Sequence, residues 1–362
     1  MAEYVTVMPD ALRAAVRAVC RKGGSNEREA ALVADNLVLA NLSGHDSHGV
    51  GMLPQYWLAV HEKRLVVNQS TKIAVDAGAL VTIDGGMGYG QVVGHEAMEL
   101  AILRAKQHGV CVMAIRNSHH IGRIGHWGEQ CASAGMISTH YVNVVNRQPL
   151  VAPFGGSDAR FATNPYCCAI PGPNGGEPIV LDMATSTIAM GKVRVAMNKG
   201  ESLPPGILID AKGAPSTDPT VMFNTPIGAI RAFGEHKGYG LALIAELLSG
   251  PMSGGGTGRN HWEVNTITNN MLSIVFDPAK LGGAESWQDE VEAYVKFVKA
   301  SPPSPDNKTS GVLVAGEPER RIRAERNQAG IPVDITTWNE IVAAAEMLGH
   351  PASETRRIAD VK

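Results

Sequence analysis

Between residues 72 and 144 short apolar runs alternate with stretches of helical period, and glycine-containing turns separate one from the next. Residues 79–83, 110–115 and 137–144 read as buried strands, while 92–107 and 127–134 carry helical spacing between them. Such an alternation restricts the chain to an α/β architecture, with helices laid on a sheet that buries its faces. Upstream lie three helical stretches. The first, over 10–20, has Asp10 as its cap; the second, over 26–42, opens on Asn26 and Glu29 as a capping box; the third runs over 53–65 with Pro54 in its first turn. Downstream, 179–181 and 271–276 read as strands, and 241–248, 288–299 and a closing stretch from 336 as helices. The segment 149–178 is dense in Gly and Pro turn signals and reads as loop.

A dinucleotide fingerprint would sit after the strand at 79–83, where Gly86-Met87-Gly88-Tyr89-Gly90 precedes a helix. The spacing is wrong: Gly88 and Gly90 are followed by Gly94 with three residues between, and no acid ends the next strand. These glycines are expected to serve tight turns and close backbone packing rather than phosphate.

Polar chemistry gathers in four places. Gly44-His45-Asp46-Ser47-His48-Gly49 follows the second helix directly and sets two imidazoles, a carboxylate and a hydroxyl in a glycine-bounded turn. Proton transfer by a histidine is one reading and ordinary turn chemistry the other. Arg116 to Arg123 contains His119 and His120, with His126 just beyond; the spacing matches neither a helical His-x-x-x-His pair nor a zinc finger. Neighbouring side chains on extended backbone point opposite ways, so at most one of His119 and His120 should face a given pocket. Asp182 stands at a strand end, placed to cap a helix from Thr187 or to orient a histidine. His236 and Lys237, between glycines at a helix start, suit an anion or phosphate. The loop Gly254 to Gly258 reads as a lid or a linker.

Composition narrows the class. With 44% hydrophobic and 19% charged residues, 362 residues can bury a large core, and a net charge of −3 offers no basic field for nucleic acid. No apolar run approaches a membrane span. Five cysteines, an odd count without Cys-x-x-Cys, and no basic-apolar leader before Tyr4 point to a reducing cytoplasm.

Taken together, Gly-His-Asp-Ser-His-Gly-Val (44–50), Asn-Ser-His-His-Ile-Gly-Arg-Ile-Gly (117–125), Thr-Asn-Pro (163–165), Leu-Asp-Met-Ala-Thr-Ser (181–186), His-Lys-Gly-Tyr-Gly (236–240) and Gly316-Glu317 before an Arg-rich helix ending at Gly330-Ile331 resemble the type 2 malate/L-lactate/ureidoglycolate dehydrogenases. The likeness is greatest to the bacterial 2-hydroxycarboxylate dehydrogenase B branch and covers nearly the whole chain in order. It implies an α/β, non-Rossmann NAD(P)-binding fold, with a mixed sheet and flanking helices. Three parts are implied: residues 1–120 carrying the catalytic histidine, 121–300 binding nucleotide, and 301–362 returning to the first part. A cytoplasmic homodimer using NAD, with NADP as the alternative, is implied as well.

By the same resemblance His48 is the proton donor or acceptor, Asp182 its orienting partner and a cofactor contact, and His120 a second active-site histidine. The implied cofactor pocket draws on His48; on Gly122, Arg123 and Ile124; on Val180, Leu181, Asp182, Met183 and Ala184; on His236 and Lys237; on Asn269; and on Gly316, Glu317, Pro318 and Glu319. No metal is implied. Many relatives carry an arginine four residues after the histidine to grip a substrate carboxylate, and Met52 stands there instead. Either Arg123 or Arg147 takes that role, or the substrate is bulkier and apolar at that end.

The implied reaction is hydride exchange between a nicotinamide and a 2-hydroxy/2-oxo acid, with Asp182 raising the His48 pKa toward working pH. Reduction of a cyclic imino acid is the alternative. Two further readings are a metal-dependent hydrolase using His45, His48, His119 and His120, and a noncatalytic nucleotide-binding protein.

Overall fold

Proline and asparagine set where the first helices begin. A short strand β1 (Tyr4–Val7) leads into α1 (Pro9–Lys22), which starts one residue before the expected cap because Pro9 suits the first helical turn, where no N–H is needed. Asp10 lies inside that turn and pairs with Arg13 at 2.9 Å. α2 (Glu27–Leu42) is capped by Asn26, whose side chain accepts from the Glu29 N–H; the reciprocal half of the box is absent, since Glu29 binds Ser25 and the Asn68 N–H instead. Two 3₁₀ turns, Asp46–His48 and Val50–Met52, lead into α3 (Leu53–His61), which stops short of residue 65, where Lys63 adopts a φ of 57°.

The chain continues through β2 (Lys72–Ala77), β3 (Leu80–Asp84), α4 (Gly90–His108), β4 (Val110–His119), α5 (Gly125–Ser133), β5 (Ile137–Val145), β6 (Tyr166–Ile170), β7 (Ile179–Met183), α6 (Met190–Lys199), β8 (Leu208–Ile209), β9 (Pro215–Ser216), β10 (Ala229–Ile230), α7 (His236–Ser253), β11 (Thr268–Phe276), α8 (Trp287–Lys299), α9 (Glu317–Ala329), β12 (Ile331–Asp334), α10 (Ile335–Met347) and α11 (Ala352–Ile358). This is a computed structural model, and it describes residues 4–259, 264–281, 287–307 and 311–361.

Seven strands form the main sheet in the order β2-β3-β4-β11-β5-β6-β7, with β3 and β4 the parallel pair and every other neighbour antiparallel. One parallel crossover, β3-α4-β4, in a mixed sheet is not the doubly wound parallel arrangement of a Rossmann domain. Two of the strands that depart from the sequence expectation bear on the site. β4 extends to His119 because Ser118 and His119 pair with Asn269 and Thr268 of β11, so that polar cluster lies on a strand and not in a loop. β6 falls inside the stretch read as loop, where pairing with β5 and β7 on both sides overrides the weak local signal.

Two hydrophobic cores matter for the site. One joins α1, α2 and α3 to β12 and α10, through Leu12, Val16, Leu37, Trp57, Trp338 and Ile341, so the end of the chain packs back on its beginning. The other lies between the sheet and α4 and α5, around Val93, Met98, Met113, Ile115 and Trp127. Each large apolar side chain buried in this way stabilises by roughly 2–3 kcal/mol. The cores meet at the start of α4: a Cβ on Gly90 would lie 2.2 Å from the His120 carbonyl oxygen, so only glycine lets that helix reach the end of β4. Among the described residues no helix is long and apolar enough to cross a membrane.

Candidate active site

The turn after α2 is held from two sides. Asn41, in the last turn of that helix, donates from Nδ2 to Asp46 (2.6 Å) and accepts at Oδ1 from the Val50 N–H (2.8 Å). From α9, Arg326 donates to both oxygens of Asp46 (2.7 and 3.1 Å) and to the Asn41 carbonyl, and Arg323 donates to Ser43 Oγ at 2.9 Å. Glu319, in the first turn of α9, lies 3.3 Å from His45 Nε2, and this contact holds the Glu319 carboxyl below the usual range. Asp46 is therefore a structural anchor. His48 is left at the end of the turn, half-buried, with its ring turned inward.

His48 Nδ1 lies 3.3 Å from His120 Nε2, and the two rings stack with centroids 5.3 Å apart and planes 9° from parallel. The other nitrogen of His120, Nδ1, lies 2.5 Å from the Tyr56 hydroxyl, to which Gln91 Nε2 donates at 3.0 Å. His120 is set by its neighbour: the Ile121 N–H donates to Asn269 Oδ1 (2.9 Å), and Trp127 Nε1 donates to the Ile121 carbonyl (3.1 Å). His119 points elsewhere, edge-on to the Tyr56 ring at 5.4 Å. Neither Tyr56 nor Gln91 is conspicuous in the sequence. The signal that could have found them is a phenol and an amide on helix faces otherwise committed to the core.

Burial dominates the titration of these groups. It lowers the His48 pKa to about 4; the negative charge of Asp182 opposes this, while His45 and Arg123 add to it. Asp182 does raise the His48 pKa, as expected, but burial outweighs it and leaves the pKa below its ordinary value. His120 is held well below its ordinary value by burial and by His48, His119 and Arg147 around it. Burial also raises the Tyr56 hydroxyl.

Asp182, on β7, does not cap the helix expected from Thr187, since α6 begins only at Met190; it instead meets the first N–H of α5. Its Oδ2 accepts from the Gly125 N–H (2.8 Å) and lies 3.7 Å from Arg123, which is buried and sits 2.7 Å from Glu129. Burial alone would lower the Arg123 pKa, but the two acids beside it raise it. The hydrogen-bond partner of His48 is thus His120, and Asp182 reaches it through charge. With its guanidinium occupied by acids, Arg123 is a poor grip for a carboxylate.

The expected cofactor residues fall into three groups. Gly122, Arg123 and Ile124 form the loop between β4 and α5; Gly122 adopts a φ of 77°, and a Cβ there would press within 2.5 Å of Asn36 Oδ1. Beside this loop lies β7 with Val180, Leu181, Asp182 and Met183, followed by Ala184, and Leu181 is left 40% exposed. The segment Gly316, Glu317, Pro318 and Glu319 adjoins β7, since Val180 donates its N–H to Ala315 and Arg320 donates to the Pro178 carbonyl. Glu317 is already paired with Lys299 at 2.5 Å. His236 and Lys237 are exposed in the first turn of α7. Asn269 is buried with both amide atoms used by Ile121 and Asn143, so its part is to fix the His120 turn from behind. A backbone-lined loop, an apolar side chain open to solvent, and a lysine and an imidazole at a helix start suit a dinucleotide, and these residues could hold one.

Arg147 differs from the other arginines near the site. It is half-buried, and among the described residues no acid pairs with it; burial and Arg194 lower its pKa. Met52 packs, partly buried, against the core of α1–α3 and α10. The loop from Gly254 to Gly258 is tied down: Asn143 donates to the Gly256 carbonyl, Asn270 donates to that of Gly255, and the Gly258 N–H donates to the buried Glu246. Among the described residues no group of three or more His, Cys, Asp or Glu could hold a metal ion. All five thiols are free, and four are buried.

Residues 7–342 match the family described as malate/L-lactate dehydrogenase. Hydroxycarboxylate dehydrogenase B of Escherichia coli is 48% identical over 345 residues, 94% of this chain and 93% of that protein. L-lactate dehydrogenase of Cupriavidus necator is 42% identical, covering 87% of this chain and 90% of its own length. A solved E. coli structure of the malate/lactate dehydrogenase type superposes with a TM-score of 0.93 at 45% identity, covering 98% and 99% of the two chains.

The buried histidines make stability depend on pH. His140, inside the sheet between Ser138 Oγ (2.9 Å) and Ser273 Oγ (2.8 Å), is lowered by burial to about 3, and His119 and His126 to about 4. A histidine lowered by folding binds its proton more readily when unfolded. Its stabilising effect is therefore full above an unfolded pKa of about 6.5 and is lost as pH falls toward the folded value. The urea midpoint should be level between about pH 7 and 8, below the range in which the buried thiols of Cys20 and Cys131 ionise on unfolding, and fall between about pH 6.5 and 4. His140→Gln should reduce that slope even if it lowers the midpoint at every pH; an unchanged slope would refute the assignment.

Proposed function

The chain belongs to the malate/L-lactate dehydrogenase family, and on that premise we propose that His48 moves the proton, through its Nε2, in the reaction of this NAD(P)-dependent 2-hydroxyacid dehydrogenase. One observation carries the reading: His120 engages His48 at Nδ1, and Nε2 has no protein partner among the described residues. A bound nicotinamide supplies the hydride acceptor or donor. With its pKa lowered to about 4, His48 is neutral at rest and ready to accept the proton of a 2-hydroxy acid as its carbinol carbon is oxidised. In the reverse direction the protonated ring gives that proton to the oxygen of a 2-oxo acid. The nearby charge of Asp182 favours the protonated ring in either direction.

Arg147 is proposed to take the substrate carboxylate in place of the residue that Met52 does not supply. A guanidinium partly withdrawn from water and without an acid partner gains most from a carboxylate ligand. The cofactor is proposed to be NAD, with NADP the alternative, held by residues 122–124 and 180–184, His236, Lys237 and the segment 316–319. In this reading residues 1–120 and 301–362 contain the part that carries His48, and 121–300 the nucleotide-binding part, although β2, β3 and β4 lie in the same sheet as the second, and β3 and β4 in its core. A homodimer is proposed as well. Tyr294 and Phe297 on α8 are 63% and 74% exposed, and Ile244 and Leu247 on α7 are 48% and 45% exposed, which supports a further apolar contact.

Oxidation of NADH and of NADPH against 2-oxo acids from small to aromatic, with cyclic imino acids alongside, tests the reaction and its substrate. Turnover of an oxo acid is expected, and turnover of imino acids alone would replace the substrate reading. His48→Ala should keep the fold and lose about 10²–10⁴-fold in kcat; kcat near wild type would remove His48 from the mechanism. Arg147→Ala should raise KM for the acid about tenfold or more with a smaller change in kcat, and an unchanged KM would return the carboxylate to another cation. Light scattering should give about twice the chain mass, and a single-chain mass would exclude the dimer.

A further inference from the structure

The contacts of His48 extend inward in a line that proton transfer by itself does not explain. Only one hydrogen can lie between His48 Nδ1 and His120 Nε2 at 3.3 Å, and only one between His120 Nδ1 and the Tyr56 oxygen at 2.5 Å. The line therefore has two polarities. In one, Gln91 donates to Tyr56, Tyr56 to His120 Nδ1, and His120 Nε2–H to His48 Nδ1; neutral His48 then carries its hydrogen on Nε2 and cannot accept another there. In the other, His48 Nδ1–H donates to His120 and His120 Nδ1–H donates to the Tyr56 oxygen, which leaves a lone pair on His48 Nε2. Protonated His48 has Nδ1–H as well, so it belongs to this second polarity, and the proton comes and goes at Nε2 without any other hydrogen moving.

We propose that Tyr56 is a positioning residue: by accepting from His120 Nδ1–H and passing its own O–H to the Gln91 amide oxygen, it holds both histidines in the tautomer that opens His48 Nε2 to the substrate. Both ends of the line support this. Tyr56 and Gln91 are each about 1% exposed or less, so no water competes for the phenol, and Gln91 Oε1 has no partner while its Nε2 faces Tyr56. Turning that amide gives the phenol hydrogen an acceptor. The other titratable or charged groups around the line are His45, Arg123 and Asp182 beside His48, His119 and Arg147 beside His120, and Cys20 and Tyr89 beside Tyr56. None of them shares a hydrogen bond with His120 Nδ1.

The inference rests on His48 being the proton-transfer group, and three variants test it in the full-length protein through the pH dependence of hydroxy-acid oxidation. Tyr56→Phe leaves His120 Nδ1–H without an acceptor. It should lower kcat about tenfold or more and move the acid limb to lower pH, with KM for the cofactor unchanged. Gln91→Leu should act in the same direction. Gln91→Glu, which keeps an acceptor for the phenol, should retain more activity than Gln91→Leu and move the limb upward. If Tyr56→Phe does not fold, the two Gln91 variants carry the test. Wild-type kcat in Tyr56→Phe, a loss with the limb unmoved, or equal impairment of both Gln91 variants would overturn the proposal. Full turnover by His48→Ala would instead overturn the assignment of His48, so the two failures are distinguishable.

Discussion

Two imidazoles carried by different cores must stay parallel and 5.3 Å apart. His48 stands on a turn anchored to the helices of the first core, and His120 follows a central strand of the sheet. Relative movement of the cores by an ångström would break a 3.3 Å contact, which explains why the junction between them is so tight. Gly90 brings α4 against the His120 carbonyl, Asn269 holds the next N–H, and Tyr56 reaches across from α3 to the far side of the ring. The site is the place where the two cores are joined.

Burial sets the electrostatics of that junction. Withdrawing imidazoles from water makes them neutral, and neutral rings can hold either of two hydrogen-bond polarities where charged ones could not. Arg123 is the counterexample: less exposed than either imidazole, it stays charged because Glu129 and Asp182 flank it. A fixed positive charge and its acids thus lie beside a group that must change charge, and Asp182 belongs to both neighbourhoods.

Much of this was legible in the sequence, because motifs are local. The polar turn at 44–49, the strand and helix alternation, Asn26 as a cap and the glycines at 86–94 as packing devices all declare themselves within a few residues. Relations between distant segments do not. Tyr56 meets His120 across 64 positions and looks like any residue of an apolar helix face; β6 exists because two strands flank it. The charge of Asp182 and its direction on His48 can be read from the sequence, but burial, which a sequence does not display, sets the sign of the net shift.

The clamp from α9 carries a consequence for the order of events. Glu319, Arg323 and Arg326 hold His45, Ser43 and Asp46 from as much as 280 positions away, and the core beneath the turn includes Trp338 and Ile341. During synthesis the turn at 43–46 emerges before α9 and cannot be clamped until that helix follows. The seven strands of the main sheet all precede α9 and can pair in the interval. The turn that carries His48 is thus set in place after the sheet that carries His120.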